Sequence, residues 1–302
     1  MNAEFEQREL EKVFRISDIL QDIFSVEFLN KRLSLYGGTA LNFIYLYLDF
    51  PRISVDLDFN YRHVDEDKDW GEVREEVGKK IKKILHMRGY KDEDIRINPS
   101  YPLCRFDVYY INSQGLEDSF IIEIEYIRRY PILKDIEADF LHLRKNEYFK
   151  VRTPVKEELF ANKFCTCLCR ASSRDIYDVY RISLLDFDGE IFRKCAVIES
   201  LMLSINLGKV DLSNILTVSL DSRLRNLLRR KEANLNFEEI KEKVVEFARK
   251  IIGELTDKEK ELIDKFYSEG EFDPDLIDGE IFNPMLKKHP AIEWSLRKIR
   301  RE

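Results

Sequence analysis

The sequence is poor in the features that define secreted, metal-bound and membrane proteins. It has five cysteines among 302 residues, and their spacing fits neither a disulfide framework nor a C-x-x-C metal site. It has no apolar run long enough to span a membrane, and its start, MNAEFEQREL, lacks the pattern of a signal peptide. We therefore expect a protein of the reducing cytoplasm without a membrane segment.

The run CTCLC is the one stretch of cysteines that suggests a metal site. It places Cys165, Cys167 and Cys169 at alternate positions. Alternate residues of a helix point about 200° apart, so neighbouring thiols diverge. We interpret these cysteines as small buried side chains rather than as zinc ligands.

An excess of positive charge is also missing. Fifty basic side chains stand against fifty-seven acidic ones, a net charge of -7, so any contact with nucleic acid must use a local basic face. One predicted helix, SRLRNLLRRK, offers such a face through Arg223, Arg225, Arg229, Arg230 and Lys231. A solvated helix face without a ligand explains the same pattern equally well.

The length and the change of pattern along the chain predict two domains. The first part alternates strand-like and helical segments, which indicates an α+β fold with a mixed sheet. Helical periods dominate after YFKVRTP, where Thr153 is the expected N-cap and Pro154 the first helical residue. We therefore assign residues 1–150 to a mixed-sheet domain and residues 151–302 to a helical domain that completes the active-site cleft.

The elements of the first part follow from apolar periodicity. Amphipathic helices are expected over residues 8–32 and 66–90, and a short strand, LSLY, ends in a glycine turn. TALNFIYLYL reads as a helix that Thr39 caps. The remaining expected strands are ISVDLDFNY, CRFDVYYI and SFIIEIEYI.

Two carboxylates, Asp56 and Asp58, interrupt the first of these apolar strands. Residues two apart on a strand share a face, and neighbouring anions repel unless a cation lies between them. A hard divalent ion such as Mg²⁺, held by carboxylates and substrate phosphates, resolves this conflict. Glu123 on a neighbouring strand is the expected third acid, with Asp107 and Glu125 as alternatives.

The glycine pair supplies the other half of such a site. A strand-to-helix turn at Gly37 and Gly38 lets backbone N–H groups approach phosphate oxygens closely. Thr39 can add a hydroxyl, and Arg52 and Ser54 can reach the same anion. The order and separation of these residues predict a site that holds a nucleoside triphosphate and its metal.

A second group of charged residues lies in the helical part. Lys163 falls beside the apolar stripe of its helix, which is unfavourable unless the ammonium reaches water or an anion. Asp175 and Asp178 follow on one helix face. A structural ion-pair network and a site for the triphosphate both fit this pattern.

These segments resemble the AbiEii/AbiGii nucleotidyltransferase family, the toxin partners of type IV toxin–antitoxin pairs. The resemblance runs along nearly the whole chain, through GGTALNFIYLYLDFPRISVDLDFNY, IEIEY, ELFANKFCTCLCRASSRDIYDVY and HPAIEW. It implies a DNA polymerase β-like core followed by a helical domain. In this sequence CTCLCRASS is cysteine-rich where alanine and leucine are more usual in the family.

The resemblance also implies roles for individual residues. Gly37, Gly38 and Thr39 match the triphosphate-binding turn, Asp56 and Asp58 the metal-binding pair, and Glu123 the third acid. Lys163, Asp175 and Asp178 match the family lysine and acidic pair. The implied activity is transfer of a nucleoside monophosphate from a nucleoside triphosphate, with Mg²⁺, to an acceptor hydroxyl.

The implied acceptor is RNA, most plausibly a tRNA 3′ end, although a protein hydroxyl also fits. The implied partner is a cognate antitoxin. The alternative function is a non-catalytic module that senses a nucleotide or binds a partner on the same scaffold.

Overall fold

The computed structural model describes residues 4–64, 69–232 and 234–300. The chain divides into two compact units. We name them the sheet unit, formed by Met1–Arg129, Asp135–Pro154 and Asn226–Ala233, and the helical unit, formed by Tyr130–Lys134, Val155–Arg225 and Asn234–Glu302. The assignment of domains to residues 1–150 and 151–302 stays a prediction; the compact units differ from it because residues 226–233 return to the sheet unit.

The sheet unit is built on a five-stranded sheet with the order β1-β2-β5-β4-β3. Its strands are β1 Leu33–Tyr36, β2 Leu57–Tyr61, β3 Ile95–Asn98, β4 Leu103–Ile111 and β5 Glu117–Glu125. β2 and β5 run parallel, whereas the other neighbours are antiparallel. The predicted α+β fold with a mixed sheet is therefore confirmed.

The helices of the sheet unit precede, connect and flank its strands. They are α1 Gln7–Ser25, α2 Glu27–Asn30, α3 Gly37–Ala40 and α4 Trp70–Met87, and a π-helical turn, Leu41–Tyr45, continues α3. The ring of Phe24 on α1 lies 6.2 Å from that of Phe59 on β2. The helix predicted over residues 8–32 is interrupted at Val26, which is extended, and residues 66–68 of the other predicted helix lie outside the described part.

Three local predictions were wrong. β2 begins only at Leu57, because the preceding segment pairs elsewhere: the Ile53 N–H donates to the Leu227 carbonyl over 2.9 Å. Thr39 is not a cap, since α3 already begins at Gly37, and the Thr39 hydroxyl donates to the carbonyl of Asp56.

The third error concerns the predicted helix start at Thr153 and Pro154. Both residues lie in an unpredicted hairpin of β6 Asp135–His142 and β7 Glu147–Pro154. The Thr153 hydroxyl donates to the carbonyl of Leu35 on β1 over 2.9 Å. The helix begins two residues later, at Lys156.

The helical unit contains most of the remaining helices. In chain order they are α5 Lys156–Arg170, α6 Ser173–Ser183, α7 Gly189–Met202, α8 Ser213–Thr217, α9 Ser222–Leu227, α10 Phe237–Gly253, α11 Asp257–Ser268 and α12 Pro290–Ile299. α9 ends in the segment that returns to the sheet unit. A capping box joins Thr256 and Glu259 at the start of α11, and Asn236 caps α10 through the Glu239 N–H.

The interior of the helical unit is aromatic and aliphatic. The Phe164 ring lies 5.7 Å from that of Phe192 and 5.9 Å from that of Phe247. Cys165 and Cys167 are buried, while Cys169 is exposed. Within the described ranges, no helix combines the length and apolar character needed to cross a membrane.

Candidate active site

A row of polar side chains crosses the sheet on the face opposite α1. β2 turns Leu57, Phe59 and Tyr61 inward, so Asp58 points to the other face. In register, Asp58 pairs with Glu123 on β5, and Glu123 pairs with Arg105 on β4. Because residues directly opposite each other on adjacent strands share a face, the predicted metal ligands Asp58 and Glu123 are neighbours.

Gly37 brings the glycine turn into direct contact with Asp58. Its φ of +70° is in the left-handed region, and a Cβ at this position would lie 1.9 Å from Asp58 Oδ2. Only glycine allows both the backbone conformation and this approach of a carboxylate. The two motifs that the sequence separates by about twenty residues therefore form one site.

Gly38 closely approaches a second pair of predicted residues. A Cβ at Gly38 would lie 2.8 Å from Ser54 Oγ and 2.9 Å from Arg52 Nη2. Arg52 is buried, and its Nη1 donates to the carbonyl of Ile53 over 2.8 Å. A guanidinium, a hydroxyl and glycine backbone thus meet at Gly38, and this combination of donors suits phosphate oxygens.

The loop that carries Arg52 and Ser54 is held by a distant piece of chain. The Ile53 N–H donates to the Leu227 carbonyl, and the Arg229 N–H donates to the Pro51 carbonyl, each over 2.9 Å. Arg52 and Leu228 form an isolated antiparallel bridge between these bonds. We call residues 226–232 the brace, because the backbone of Leu227 and Arg229 holds the loop in place.

Asp56 and Asp58 fit a magnesium ion by the chemistry of their donors. Asp56 immediately precedes β2 and is partly exposed, as is Asp58. Mg²⁺ is commonly held by one or two carboxylates, with substrate phosphates completing its shell, and the donors that meet at Gly38 would bind those phosphates. In residues 4–64, 69–232 and 234–300, no three or more His, Cys, Asp or Glu side chains form a metal-binding group.

The candidates for the third acid are each next to an arginine. Arg105 Nη1 lies 3.3 Å from Glu123 Oε1, and Arg105 Nε and Nη2 donate to Asp107 Oδ1 over 3.0 and 2.6 Å. Glu125 Oε2 lies 3.6 Å from Arg128 Nε. Of the three, only Glu123 is aligned with Asp58.

The charged residues predicted on α5 and α6 form a buried ionic cluster inside the helical unit. Lys163 Nζ lies 3.0 Å from Asp178 Oδ2, and both side chains are buried. Arg170 donates to both oxygens of Asp175 over 2.7 and 2.9 Å. Burial alone would raise the pKa of Asp175, but the Arg170 hydrogen bonds and the charge of Lys163 lower it, so this carboxylate stays ionised.

The predicted basic helix is broken by the structure. α9 ends at Leu227, so Arg229, Arg230 and Lys231 are not on it. Two of the cations already have carboxylate partners: Arg229 Nη2 lies 2.6 Å from Glu4 Oε1, and Lys231 Nζ lies 2.7 Å from Asp49 Oδ1. Arg223, Arg225 and Arg230 are exposed.

Sequence reasoning missed two features of the site, Arg105 and the brace. Arg105 lies two residues before Asp107 in a strand that was predicted, so its placement beside Glu123 followed from the register of β4 and β5. The brace gave no local signal, because its partners are backbone groups of residues 51–53.

Comparisons with known proteins identify the fold and the family of the chain. Among solved structures, the chain resembles MenT4, a nucleotidyltransferase toxin from Mycobacterium tuberculosis H37Rv, with a TM-score of 0.61 and 17% identity over 97% of this chain and 95% of that one. At this identity the likeness shows the fold. No curated protein matches the chain significantly. A family model described as "Nucleotidyl transferase AbiEii toxin, Type IV TA system" matches residues 18–273. The protein therefore belongs to the AbiEii family and is a nucleotidyltransferase toxin of the type IV toxin–antitoxin class.

Proposed function

We propose that this nucleotidyltransferase moves a nucleoside monophosphate from a nucleoside triphosphate to a hydroxyl of RNA and releases pyrophosphate, with the 3′ end of tRNA as the acceptor. It acts in the cytoplasm, with Mg²⁺, and a cognate antitoxin is its partner. The observation that carries the proposal is the packing of the Asp58 carboxylate against Gly37. This contact joins an acidic pair and a phosphate-binding turn in one place.

Within the sheet unit, each proposed role follows from what a side chain touches. Arg52 and Ser54, which converge on Gly38, bind triphosphate oxygens and hold the nucleotide in a fixed orientation. The turn at Gly37, Gly38 and Thr39 adds backbone N–H groups. The hydroxyl of Thr39 is bonded to the Asp56 carbonyl, so it positions the acidic pair and leaves phosphate contact to the backbone.

Asp56 and Asp58 would hold Mg²⁺ through hard carboxylate oxygens, with Glu123 as the proposed third acid. When bound, the ion supplies positive charge that stabilises the phosphate oxygens and acidifies the acceptor hydroxyl. The carboxylates keep their positions because Gly37 and the register of β2 and β5 fix the Asp58 backbone.

Lys163, Asp175 and Asp178 are the proposed catalytic residues of the helical unit. Lys163 forms a buried ion pair with Asp178 at 3.0 Å, and a buried ammonium stabilises the negative charge of a triphosphate more strongly than a solvated one. Asp175 and Arg170 hold the start of α6, where the Ser172 side chain accepts from the Asp175 N–H. Their proposed role is to position Asp178.

The RNA acceptor is supported by the exposed cations Arg223, Arg225 and Arg230. Contacts of such residues with a phosphate backbone release counterions, so the affinity for the acceptor should fall steeply with salt. Neutral substitution of all three should weaken RNA binding and leave nucleotide binding unchanged.

The test is transfer of label from each α-³²P nucleoside triphosphate, with Mg²⁺, to total cellular RNA and protein. Asp58→Ala is the variant, and Asp139→Ala is its matched control, because Asp139 is an exposed carboxylate of the same unit whose partner is Lys150. We expect label on RNA of tRNA size with the wild type and the control, and at least a thousandfold less with Asp58→Ala.

Each outcome of this experiment tests a different part of the proposal. Label on protein alone would overturn the RNA acceptor and keep the site. Label that persists with Asp58→Ala would overturn the assignment of the acidic pair. A complete lack of label, with nucleotide still bound, would favour the non-catalytic nucleotide-sensing module.

A further inference from the structure

Arg105 is a cation beside Asp58 and Glu123, the two carboxylates that we call the acidic row of the sheet. Its strand position is opposite Glu123, which is in turn opposite Asp58. Its guanidinium contacts Glu123 Oε1 at 3.3 Å and Asp107 Oδ1 at 2.6 Å. A guanidinium is charged at every pH at which proteins fold, so a positive charge always lies next to the acidic row.

The two contacts of Arg105 are unequal. Asp107 accepts two hydrogen bonds, from Nε and Nη2, whereas Glu123 has a single, longer contact with Nη1. Asp107 therefore anchors the guanidinium, and Glu123 is the partner that can exchange. The side chain of Arg105 is 39% exposed and that of Glu123 is 28% exposed, so both can move without opening the core.

We propose that Arg105 is a positioning residue that occupies Glu123 as a counter-ion and thereby weakens the binding of divalent metal to Asp56 and Asp58. This inference rests on the proposed function, since it concerns the metal of that site. The positive charge acts in two ways: it repels a cation brought to the acidic pair, and it holds the third carboxylate in an ion pair.

The consequence is a site that discriminates between free metal and metal bound to nucleotide. A nucleoside triphosphate brings its own negative charge, which offsets the repulsion by Arg105, whereas a free divalent ion does not. The acidic pair is therefore filled mainly when nucleotide arrives with its metal. Glu123 then leaves Arg105, which stays bound to Asp107.

The experiment measures binding of Mn²⁺ to the full-length protein without nucleotide or acceptor, by electron paramagnetic resonance. The variant is Arg105→Gln, which removes the charge and keeps a polar side chain. Its matched control is Arg96→Gln. Arg96 is an exposed arginine on β3 in register with Asp107, and β3 lies one strand further from Asp58 than β4, which carries Arg105. Arg105→Lys keeps the charge, and thermal unfolding confirms that each variant is folded.

We expect Arg105→Gln to bind Mn²⁺ about tenfold more tightly than the wild type, as the loss of one nearby like charge predicts. Arg96→Gln should change the affinity less than about twofold, and Arg105→Lys should remain close to the wild type. In the Glu123→Gln background, Arg105→Gln should gain less than it does alone, because the carboxylate that it releases is missing.

Unchanged or weaker Mn²⁺ binding by Arg105→Gln would overturn the inference, as would an equal gain with Arg96→Gln. Asp58→Ala separates this failure from that of the proposed function. If Asp58→Ala abolishes Mn²⁺ binding while Arg105→Gln leaves it unchanged, the metal site stands and the role of Arg105 is wrong. If Asp58→Ala leaves Mn²⁺ binding unchanged, both the site and the inference are wrong.

Discussion

Replacement of Gly37 by alanine should lower the rate of nucleotide transfer at least a hundredfold while the fold survives. The new Cβ would lie 1.9 Å from Asp58 Oδ2 and 2.8 Å from Asp58 Cγ, and real Cβ atoms keep at least 3.0 Å from their neighbours. The carboxylate must therefore move by about 1 Å, because the backbone of β2 is held by strands on both sides. A misplacement of about 1 Å at a reacting centre can lower a rate about a hundredfold.

The same substitution has a separate cost in backbone conformation. Alanine at a φ of +70° is unfavourable by about 1–2 kcal/mol, so the free energy of unfolding should fall by at least that amount. Gly115→Ala is the matched control, because Gly115 has a φ of +77° in the turn between β4 and β5 and a Cβ there meets nothing within 4 Å. It carries the conformational strain without the clash.

The assay is steady-state transfer of labelled nucleotide, together with urea unfolding of both variants. Gly115→Ala should lose about 1–2 kcal/mol of stability and keep its kcat. Gly37→Ala should lose stability and at least a hundredfold in kcat. If Gly37→Ala keeps more than about a tenth of wild-type kcat, the contact with Asp58 does not position the carboxylate and the reasoning fails.

Two further predictions concern ionic groups. Asp178→Asn removes the carboxylate that lies 3.0 Å from the buried Lys163 ammonium. The free energy of unfolding, measured by urea titration, should therefore fall by about 3–5 kcal/mol. An unchanged midpoint would show that Lys163 is solvated. Burial would raise the pKa of Asp118, but hydrogen bonds from Arg8 and Lys12 lower it to about 2. Since this folded-state pKa is below the unfolded value, the contribution to stability is complete above about pH 4 and is lost as the pH falls toward 2. Asp118→Asn should flatten this part of the acid-unfolding profile, and parallel profiles would contradict the assignment.

Local patterns were enough to predict the strands that carry the third acid. In β4 the residues Phe106 and Val108 are buried, and in β5 Ile122 and Ile124 are buried, as strict alternation requires. The glycine pair and the acidic pair were also visible in the sequence. Each is a local chemical requirement, since a close approach needs glycine and a hard metal needs carboxylates.

The hairpin of β6 and β7 could not be predicted in this way. Much of β6 is only partly buried, so its side chains lack a clear apolar alternation. It is held by contacts with distant residues, because Asp135 forms a buried ion pair with Arg62 at 2.8 Å and accepts from Ser34 Oγ at 2.9 Å. Thr153 and Pro154 gave a valid local signal for a helix start, and long-range pairing with β6 outweighed it.

The long-range contacts of charged residues at the candidate site could not be predicted from the sequence either. Nothing near Arg105 in the sequence indicates that it lies beside Glu123, because the two residues are 18 positions apart and their contact depends on the register of β4 and β5. The basic run SRLRNLLRRK has helical spacing and therefore predicts one helix face. Glu4 and Asp49, which bind Arg229 and Lys231, cannot be found from spacing.

The brace has a consequence for synthesis of the enzyme. The loop with Arg52 and Ser54 obtains its backbone partners from Leu227 and Arg229, and the Arg229 guanidinium binds the Asp49 carbonyl across 180 positions. A nascent chain that already contains both glycines and both aspartates still lacks these bonds until its last quarter is translated. For a toxin this order is protective, because fragments released early from the ribosome carry the acidic pair without a secured phosphate-binding loop.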